Sequence, residues 1–454
     1  MMMNPNTWDE RLLRIPAFAS AVMEQERGVH IYLPPSYFEE SSRRYPVLYM
    51  HDGQGIFNPN PFSNSSWNVH LTADRLIAEG LMEEIIIIGI DNRGEERLNE
   101  YAFAVEDGGI PGAPDIMCKG ELYERFLIEE LKPYMDQSFR TITDREHTAL
   151  MGSSMGGLAT YHIGLRNPHI FSKLGILSPY FIRLNPNTLE ESRFYNRYSG
   201  TANLSLWIDI GEVEANILVR HVRGVVEELI EQGYAPGDNL MFHEVPGAAH
   251  TEKDWADRVH LPLLYFFGNP GQPIAARLYG RTEFGLEGMV SWLNPVVTFD
   301  SGFEMTDLNG VFETSDPSIL EVQKNGAVRP FKKGNAQITY RGKAAVSAQV
   351  EASVVEYLPD VVNVTICILV PANTPANEAI LIGKLAVPRI SEQLYGGVFQ
   401  LPRDMAVRYK IVTDSGVHEA GANGEVIPYR IIRWNEDMKL EYRVEAWEKQ
   451  NGSL

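Results

Sequence analysis

Residues His147–Arg166 read HTALMGSSMGGLATYHIGLR, and the fold prediction rests on them. Thr148–Met151 is a short apolar run typical of a buried strand, and Leu158–Arg166 has helical character. The five residues from Gly152 to Gly156 lie between them and match the pattern G-x-S-x-G. A serine on a sharp strand-to-helix turn needs very small neighbours, because the backbone is strained there and other chain segments pass close. The pattern therefore predicts that Ser154 projects above the end of a strand as a nucleophile.

The same alternation of strands and helices extends from about Val29 to Phe267. Apolar runs rich in β-formers alternate with stretches of helical spacing; the runs are 45–51, 84–91, 147–154, 206–211 and 240–247, and the helical stretches are 69–79, 121–135, 158–166, 217–232 and 252–265. This order predicts an α/β fold with a mostly parallel sheet covered by helices on both faces. Ligands of such sheets bind at the carboxyl ends of the strands.

The sequence changes character after Phe267. Helical periodicity is largely lost, and short alternating strands recur between turn signals such as Asn309-Gly310. This pattern predicts three domains: an α/β domain over residues 1–270, and two small all-β sandwiches over 285–357 and 359–454.

A serine hydroxyl is a poor nucleophile at neutral pH and needs a base. His250 is the preferred base, because it follows the predicted strand 240–247 on a loop of small residues. The other histidines considered lie on helices or within a strand, where packed or surface positions are common: His162, His221, His243 and His260.

The base needs a carboxylate to hold its tautomer and stabilise its cation. Three acidic residues lie within or just after the strand 206–211. Glu214 is preferred, because it lies three residues beyond the glycine that ends this strand and can reach His250. Asp209 lies inside the strand and is the alternative, and Glu212 is the third candidate.

An oxyanion needs two N–H donors aimed at it. The backbone amide of Met155, directly after the nucleophile, is the first predicted donor. The second is predicted from Gly53 or Gln54 in the loop after the early strand 45–51. For His51 and Asp52 in the same loop, bracing by hydrogen bonds and a direct chemical role both remain open.

These motifs together resemble the esterase D-type branch of the α/β-hydrolases, a branch that includes feruloyl and enterochelin esterases. The resemblance covers roughly residues 25–270 and rests on an ordered set of segments: YPVLYMHDGQGIF (45–57), IIIIGIDNRGEERLNEYAF (85–103), GSSMGG (152–157), WIDIGEVE (207–214) and GAAHTEKDW (247–255). It implies an α/β-hydrolase fold with Ser154, Glu214 and His250 as a catalytic triad.

Two further resemblances concern the β-rich part. Residues 311–340 resemble a bacterial Ig-like domain, and the segments from Val362 onward and 409–430 are similar to a starch-binding-type carbohydrate-binding module. Stacking on a sugar requires a flat exposed aromatic side chain. Val417 stands where such modules usually carry tryptophan, so carbohydrate binding and a scaffold or dimer-interface role are both open.

Hydrolysis of a small carboxylic ester through an acyl-enzyme is the expected function. Polar residues at the ends of the early strands are expected to line the substrate pocket, with surface salt-bridging as their alternative role: Asp52, Asn92, Arg93, Arg97 and Glu100. Acyl transfer to an alcohol or sugar, and a binding protein with a non-catalytic hydrolase domain, are the alternative functions.

Composition limits the partners. The formal net charge of −20 disfavours nucleic acid and anionic membranes, which repel an acidic surface. The two cysteines form no disulfide framework, and the first twenty residues show no secretory pattern, so a cytoplasmic protein is expected. No metal or organic cofactor is predicted, because the histidines and acids lack ligand spacing. Exposed β edges make a homodimer plausible.

Overall fold

The computed structural model describes residues 10–59, 65–105, 116–184, 190–198, 203–214, 216–288, 290–383 and 385–448. The chain divides into two compact units. The first comprises 1–279, 294–312 and 339–349, and the second comprises 280–293, 313–338 and 350–454. Both units are discontinuous in sequence. The three continuous domains remain a prediction.

Strands and helices alternate in the first unit up to residue 267. Its strands in this part are β1 Leu12–Ser20, β2 Gln25–Tyr32, β3 Val47–His51, β4 Ile86–Ile90, β5 Thr148–Ser153, β6 Lys173–Leu177, β7 Ile182–Leu184, β8 Glu191–Arg193, β9 Ser205–Gly211 and β10 Leu240–Val245. Its α-helices are α1 Val69–Ala78, α2 Arg97–Tyr101, α3 Gly120–Arg125, α4 Lys132–Ser138, α5 Met155–Arg166, α6 Asn216–Glu231, α7 Glu252–Arg258 and α8 His260–Phe267. A π-helical segment, Phe126–Leu131, joins α3 to α4.

Eight strands form the central sheet in the order β1-β2-β4-β3-β5-β6-β9-β10. The strands from β4 to β10 in this order run parallel, and β1 and β2 add antiparallel strands at one edge. The α/β-hydrolase fold expected from the sequence is therefore confirmed. Strands β1 and β6, the β7–β8 hairpin and α2 were not predicted, and the stretch 252–265 forms two helices rather than one.

Alternate residues of the central strands enter two separate cores, one on each face of the sheet. On β4, Ile86 and Ile88 pack into one core and Ile87 into the other. Helices α5 and α6 cover the first face, and α1 and α8 cover the second. Strands buried on both faces read as continuous apolar runs, which explains why IIIGI was recognisable from sequence.

The rest of the chain is made of short strands: β11 Pro273–Tyr279, β12 Glu283–Gly285, β13 Ser291–Trp292, β14 Asn294–Phe299, β15 Glu304–Thr306, β16 Val311–Thr314, β17 Leu320–Val322, β18 Ala327–Pro330, β19 Gly334–Arg341, β20 Ser347–Val355, β21 Val361–Leu369, β22 Ile380–Ile382, β23 Leu385–Val387, β24 Leu394–Pro402, β25 Ala406–Tyr409, β26 Ile411–Thr413, β27 Glu419–Ala420, β28 Arg430–Arg433, β29 Met438–Arg443 and β30 Ala446–Trp447. In the second unit β21 lies between β24 and β29, and its alternate side chains Val362, Val364, Ile366 and Ile368 fill a core. Among the described residues, no helix combines the length and apolar character needed to cross a membrane.

Two helical glycines test the packing of the first unit. A Cβ on Gly164 in α5 would lie 2.2 Å from Cδ2 of the fully buried Leu174 on β6, whereas a Cβ on Gly224 in α6 would meet nothing within 4 Å. Overpacking typically costs about 1–3 kcal/mol, and replacing a helical glycine by alanine gains about 0.5–1 kcal/mol. We therefore expect Gly164→Ala to lower the urea midpoint and Gly224→Ala to raise it, measured by far-UV circular dichroism. A stabilising Gly164→Ala would contradict close packing of α5 on β6.

Candidate active site

The turn between β5 and α5 has the geometry that the sequence pattern predicted. Ser154 lies between the last strand residue and the first helical residue, with φ 58° and ψ −124°. Such a conformation costs a non-glycine residue about 1–3 kcal/mol and persists only where the surroundings enforce it. A Cβ on Gly152 would lie 2.7 Å from the carbonyl group of Gly156, so only glycine fits at that position. Ser154 itself is half-buried.

The loop after β3 lies beside this turn. Asp52 adopts a left-handed conformation with φ 59° and leads into a short 3-10 helix, Gly53–Gly55. A Cβ on Gly156 would lie 3.2 Å from Asp52 Oδ2, and a Cβ on Gly53 would lie 2.5 Å from the carbonyl carbon of Gly89 on β4. The structure therefore brings the loop that carries Gly53 and Gln54 close to the start of α5, where Met155 is nearly buried.

His250 and Glu214 form a hydrogen-bonded pair. The imidazole Nδ1 lies 2.8 Å from Glu214 Oε2; the glutamate side chain is fully buried, and the histidine side chain is 35% exposed. Because a carboxylate only accepts, Nδ1 carries the proton, and Nε2 of the neutral ring is left as an acceptor. The other oxygen, Oε1, accepts from the backbone N–H of Gly211 at 2.8 Å and from the hydroxyl of Ser178 at 2.6 Å.

Neither alternative carboxylate bonds to His250. Asp209 is fully buried and accepts from Trp207 Nε1 at 2.8 Å and from Arg258 at 2.9 Å. Burial raises the pKa of Asp209, and the Arg258 guanidinium opposes that rise without cancelling it. Glu212 accepts from the backbone N–H of Gly247 at 2.9 Å. Among the three acids, Glu214 is the one that meets the imidazole.

The other histidines occupy packed or peripheral positions. His162 stacks on Phe103 and contacts the Tyr198 hydroxyl at 2.6 Å, and burial lowers its pKa to about 3. Burial likewise lowers the pKa of His243 to about 3 and lowers the pKa of His260. His221 pairs with Glu191 at 2.9 Å.

Hydrogen bonds connect the serine turn to the histidine pair. The backbone N–H of Ser154 donates to the carbonyl of Leu177, the last residue of β6, at 3.0 Å. The next residue, Ser178, donates through its hydroxyl to Glu214, which binds His250. The backbone of Ser154 is therefore linked to the Glu214–His250 pair through the Leu177 carbonyl and the neighbouring Ser178 hydroxyl. These residues lie at the ends of β5, β6 and β9 and in the loop after β10.

Three of the predicted pocket residues bind one another. Arg97 forms two hydrogen bonds to the Asp52 carboxylate, at 2.7 and 2.8 Å, and Asn92 Nδ2 donates to the same carboxylate at 2.7 Å. Burial alone would raise the pKa of Asp52, but the charge and hydrogen bonds of Arg97, together with Asn92 and His51, outweigh it, so the pKa lies below its ordinary value. Gln54 accepts from the backbone N–H of Asn92 at 3.1 Å.

The remaining two pocket candidates are used elsewhere. Arg93 is exposed and donates to the carbonyl of Glu26 at 2.8 Å. Glu100 is 1% exposed and forms a buried ion pair with Arg27, at 3.0 and 3.1 Å, with Gln25 donating to it at 2.6 Å. A substrate in solution cannot reach this carboxylate, so its assignment to the pocket is corrected: Glu100 anchors helix α2.

Sequence reasoning missed several residues that shape the site. Tyr123 contacts His51 Nδ1 at 2.9 Å, and the Tyr101 hydroxyl lies 3.3 Å from the backbone nitrogen of Asp52. Trp255 packs edge-on against His250, with ring centroids 4.9 Å apart. Trp255 is part of the segment GAAHTEKDW that the sequence analysis singled out, but its contact with the imidazole depends on the fold and could not be predicted.

Among the described residues, no three or more His, Cys, Asp or Glu side chains are grouped so that they could hold a metal ion. The site therefore consists of a strained serine turn, a carboxylate-bound imidazole and a glycine-bearing loop, at the carboxyl ends of the strands of an α/β-hydrolase fold.

The family model described as "Putative esterase" matches residues 20–260. This match covers more than half of the chain, and the chain belongs to that family.

Similarity to individual proteins is more limited. An endo-1,4-beta-xylanase/feruloyl esterase of Xylanibacter ruminicola is 33% identical over 156 residues, which are 33% of this chain and 19% of that protein. The uncharacterized protein YbbA of Bacillus subtilis is 24% identical over 247 residues, covering 53% of this chain and 93% of that protein. A solved ferulic acid esterase of Anaeromyces mucronatus, in complex with ferulic acid, is 22% identical over 56% of this chain and 89% of its own, with a TM-score of 0.43.

The buried His51 makes the stability of the protein depend on pH. Burial lowers its pKa from 6.5 to about 4, with Asp52 opposing. The unfolded chain therefore binds a proton that the folded chain does not, and stability falls as the pH drops from 6.5 toward 4. Between pH 7.5 and pH 5.5 the free energy of unfolding should fall by about 1 kcal/mol less in His51→Asn than in the wild type, measured by urea unfolding at both pH values. The surface variant His169→Asn serves as control and should follow the wild type; equal pH dependence in all three proteins would refute the assignment.

Proposed function

We propose that this chain is a serine carboxylesterase in which Ser154 is the nucleophile, His250 the base and Glu214 the residue that orients the base. The observation that carries the proposal is the 2.8 Å hydrogen bond between Glu214 and the imidazole of His250, within the network that also holds the strained turn of Ser154. A buried carboxylate that orients a solvent-accessible histidine is the arrangement that activates a serine when the imidazole reaches its hydroxyl.

The proposed reaction has two halves. Nε2 of His250 removes the hydroxyl proton of Ser154 while Oγ attacks the ester carbonyl carbon, and the imidazolium then gives that proton to the departing alcohol oxygen. Water attacks the acyl-enzyme in the same way, with its proton passing to His250 and then to Oγ as the acid leaves. Glu214 stabilises the imidazolium in both halves.

The oxyanion is proposed to bind the backbone amides of Met155 and of Gly53 or Gln54. Support comes from the position of Met155 as the first residue of α5, and from the close approach of the Gly53 loop to that helix. The ion pair of Asp52 with Arg97 sits at the base of this loop, and we assign it to holding the loop. Arg97 and Asn92 remain candidates to contact a polar substrate, since both are only half-buried.

The acyl and alcohol groups of the substrate are open. The relative from Xylanibacter ruminicola is described as a feruloyl esterase, so feruloyl esters belong first in a screen, beside short-chain esters. The edge-on contact of Trp255 with His250, and the ring of Trp67 5.5 Å from that of Trp255, give the base an aromatic surround that is compatible with such a substrate.

The role of the second unit is also a proposal. Two of its tryptophans do not favour glycan binding, because Trp434 is 2% exposed and the indole N–H of the half-buried Trp447 donates to Thr374 at 2.8 Å. Two of its tyrosines, Tyr357 and Tyr429, are 71% and 51% exposed, so scaffolding and glycan binding both stand as candidate roles.

Labelling with a fluorophosphonate tests the nucleophile. The wild type should form one covalent adduct on the peptide that contains Ser154, and Ser154→Ala should lose both the adduct and at least about 1,000-fold in the rate of p-nitrophenyl acetate hydrolysis. The neighbouring Ser153→Ala variant is the matched control, and we expect it to keep the adduct.

Intact-mass and peptide analysis locate the label. An adduct that persists in Ser154→Ala and disappears in Ser153→Ala would show that Ser153, and not Ser154, is the nucleophile. A wild type that neither labels nor hydrolyses any ester of the panel would remove the esterase proposal.

A further inference from the structure

Ser178 occupies an unusual position directly after β6. It is 1% exposed and has a left-handed backbone with φ 42°, a region that a non-glycine residue occupies only at a cost. Its backbone N–H is held by the Asp209 carbonyl at 2.9 Å. Such a strained backbone inside a core persists only where other contacts offset its cost, and the side chain of Ser178 makes such contacts.

The hydroxyl of Ser178 makes three polar contacts. It donates to Glu214 Oε1 at 2.6 Å, and it accepts from Trp255 Nε1 at 3.0 Å and from Arg258 Nη2 at 2.7 Å. Both donors point at the oxygen, so its single hydrogen is directed at Glu214. The hydrogen bond to the carboxylate is therefore fixed in direction.

Arg258 is the cation of this cluster. It is 3% exposed, and the same Nη2 that reaches Ser178 also donates to Asp209 Oδ1 at 2.9 Å and lies 3.7 Å from Glu214 Oε1. One guanidinium thus faces two buried carboxylates. Arg258 bonds directly to Asp209 and lies farther from Glu214, whose hydrogen-bonded partner of opposite potential charge is His250.

We propose that Ser178 is a positioning residue, whose hydroxyl, backed by Arg258 and Trp255, holds the Glu214 carboxylate in the orientation that His250 requires. The assignment rests on the proposed function, because it needs Glu214 and His250 to act in the reaction. Gly211 N–H and Ser178 fix Oε1 from two sides, and this leaves Oε2 facing the imidazole. Without the hydroxyl, the carboxylate can rotate toward Arg258, 3.7 Å away.

The test variant is Ser178→Gly, which removes the hydroxyl and at the same time relieves the left-handed backbone. We expect kcat for p-nitrophenyl acetate to fall about 10- to 100-fold, the range that a hydrogen bond to a charged group is worth, with KM changed less than twofold. The far-downfield proton resonance of the His250 Nδ1–H should broaden or shift, because its acceptor is no longer fixed.

Ser20→Gly is the matched control. Ser20 is also a buried serine that donates to a carboxylate, Glu130 at 2.5 Å, but it ends β1, four strands away from β5. Its replacement should leave kcat, KM and the His250 resonance as in the wild type. Melting temperatures of all three proteins report whether each one folds.

The outcomes separate the two proposals. An active wild type together with a folded Ser178→Gly of unchanged kcat overturns the role of Ser178 and leaves the esterase proposal intact. A Ser178→Gly chain that does not fold also overturns it, since the hydroxyl would then be structural. A wild type without esterase activity overturns the proposed function, and this assignment with it.

Discussion

The close approach of two glycines holds Ser154 in its strained backbone, and the rest of the site depends on this constraint. With φ 58° the serine cannot belong to β5 or to α5, so it stands between them. The turn is possible because Gly152 approaches the Gly156 carbonyl so closely that a Cβ on Gly152 would lie 2.7 Å from it. Neighbouring strands β3 and β6 then fix its surroundings, through the Asp52 loop on one side and the Leu177 carbonyl on the other.

Burial and charge compensate one another behind the imidazole. Two carboxylates, Asp209 and Glu214, are fully buried, which is costly unless each is hydrogen-bonded and at least partly neutralised. Arg258 compensates one of them directly. The second, Glu214, lies 3.7 Å from the same guanidinium and bonds to His250, so a positive charge formed on the imidazole would lie beside a buried carboxylate. A site built this way stabilises positive charge on the histidine at the moment a serine loses its proton.

The sequence could predict what depends on local spacing. Three signals depend only on residues that are neighbours in the chain: the G-x-S-x-G pattern, the apolar run of β4 and the small-residue loop before His250. The fold predicted from such signals is confirmed. The choice between Asp209 and Glu214 stayed open, because it depends on the direction in which a side chain leaves the end of β9. Ser178 carried no pattern, since its value comes from Glu214 and Arg258, 36 and 80 residues away. Glu100 was misassigned because its partner Arg27 lies 73 residues earlier in the chain.

If Glu214 and His250 act on Ser154 as one unit, a double-mutant cycle will show their effects on activity to be coupled. The measurement is kcat/KM for p-nitrophenyl acetate in the wild type, Glu214→Gln, His250→Gln and the double variant. Residues that act as a unit give strongly non-additive losses, so the double variant should be about as slow as His250→Gln alone. If the two single losses instead multiply in the double variant, the carboxylate and the imidazole work independently, and Glu214 does not orient His250 for the reaction.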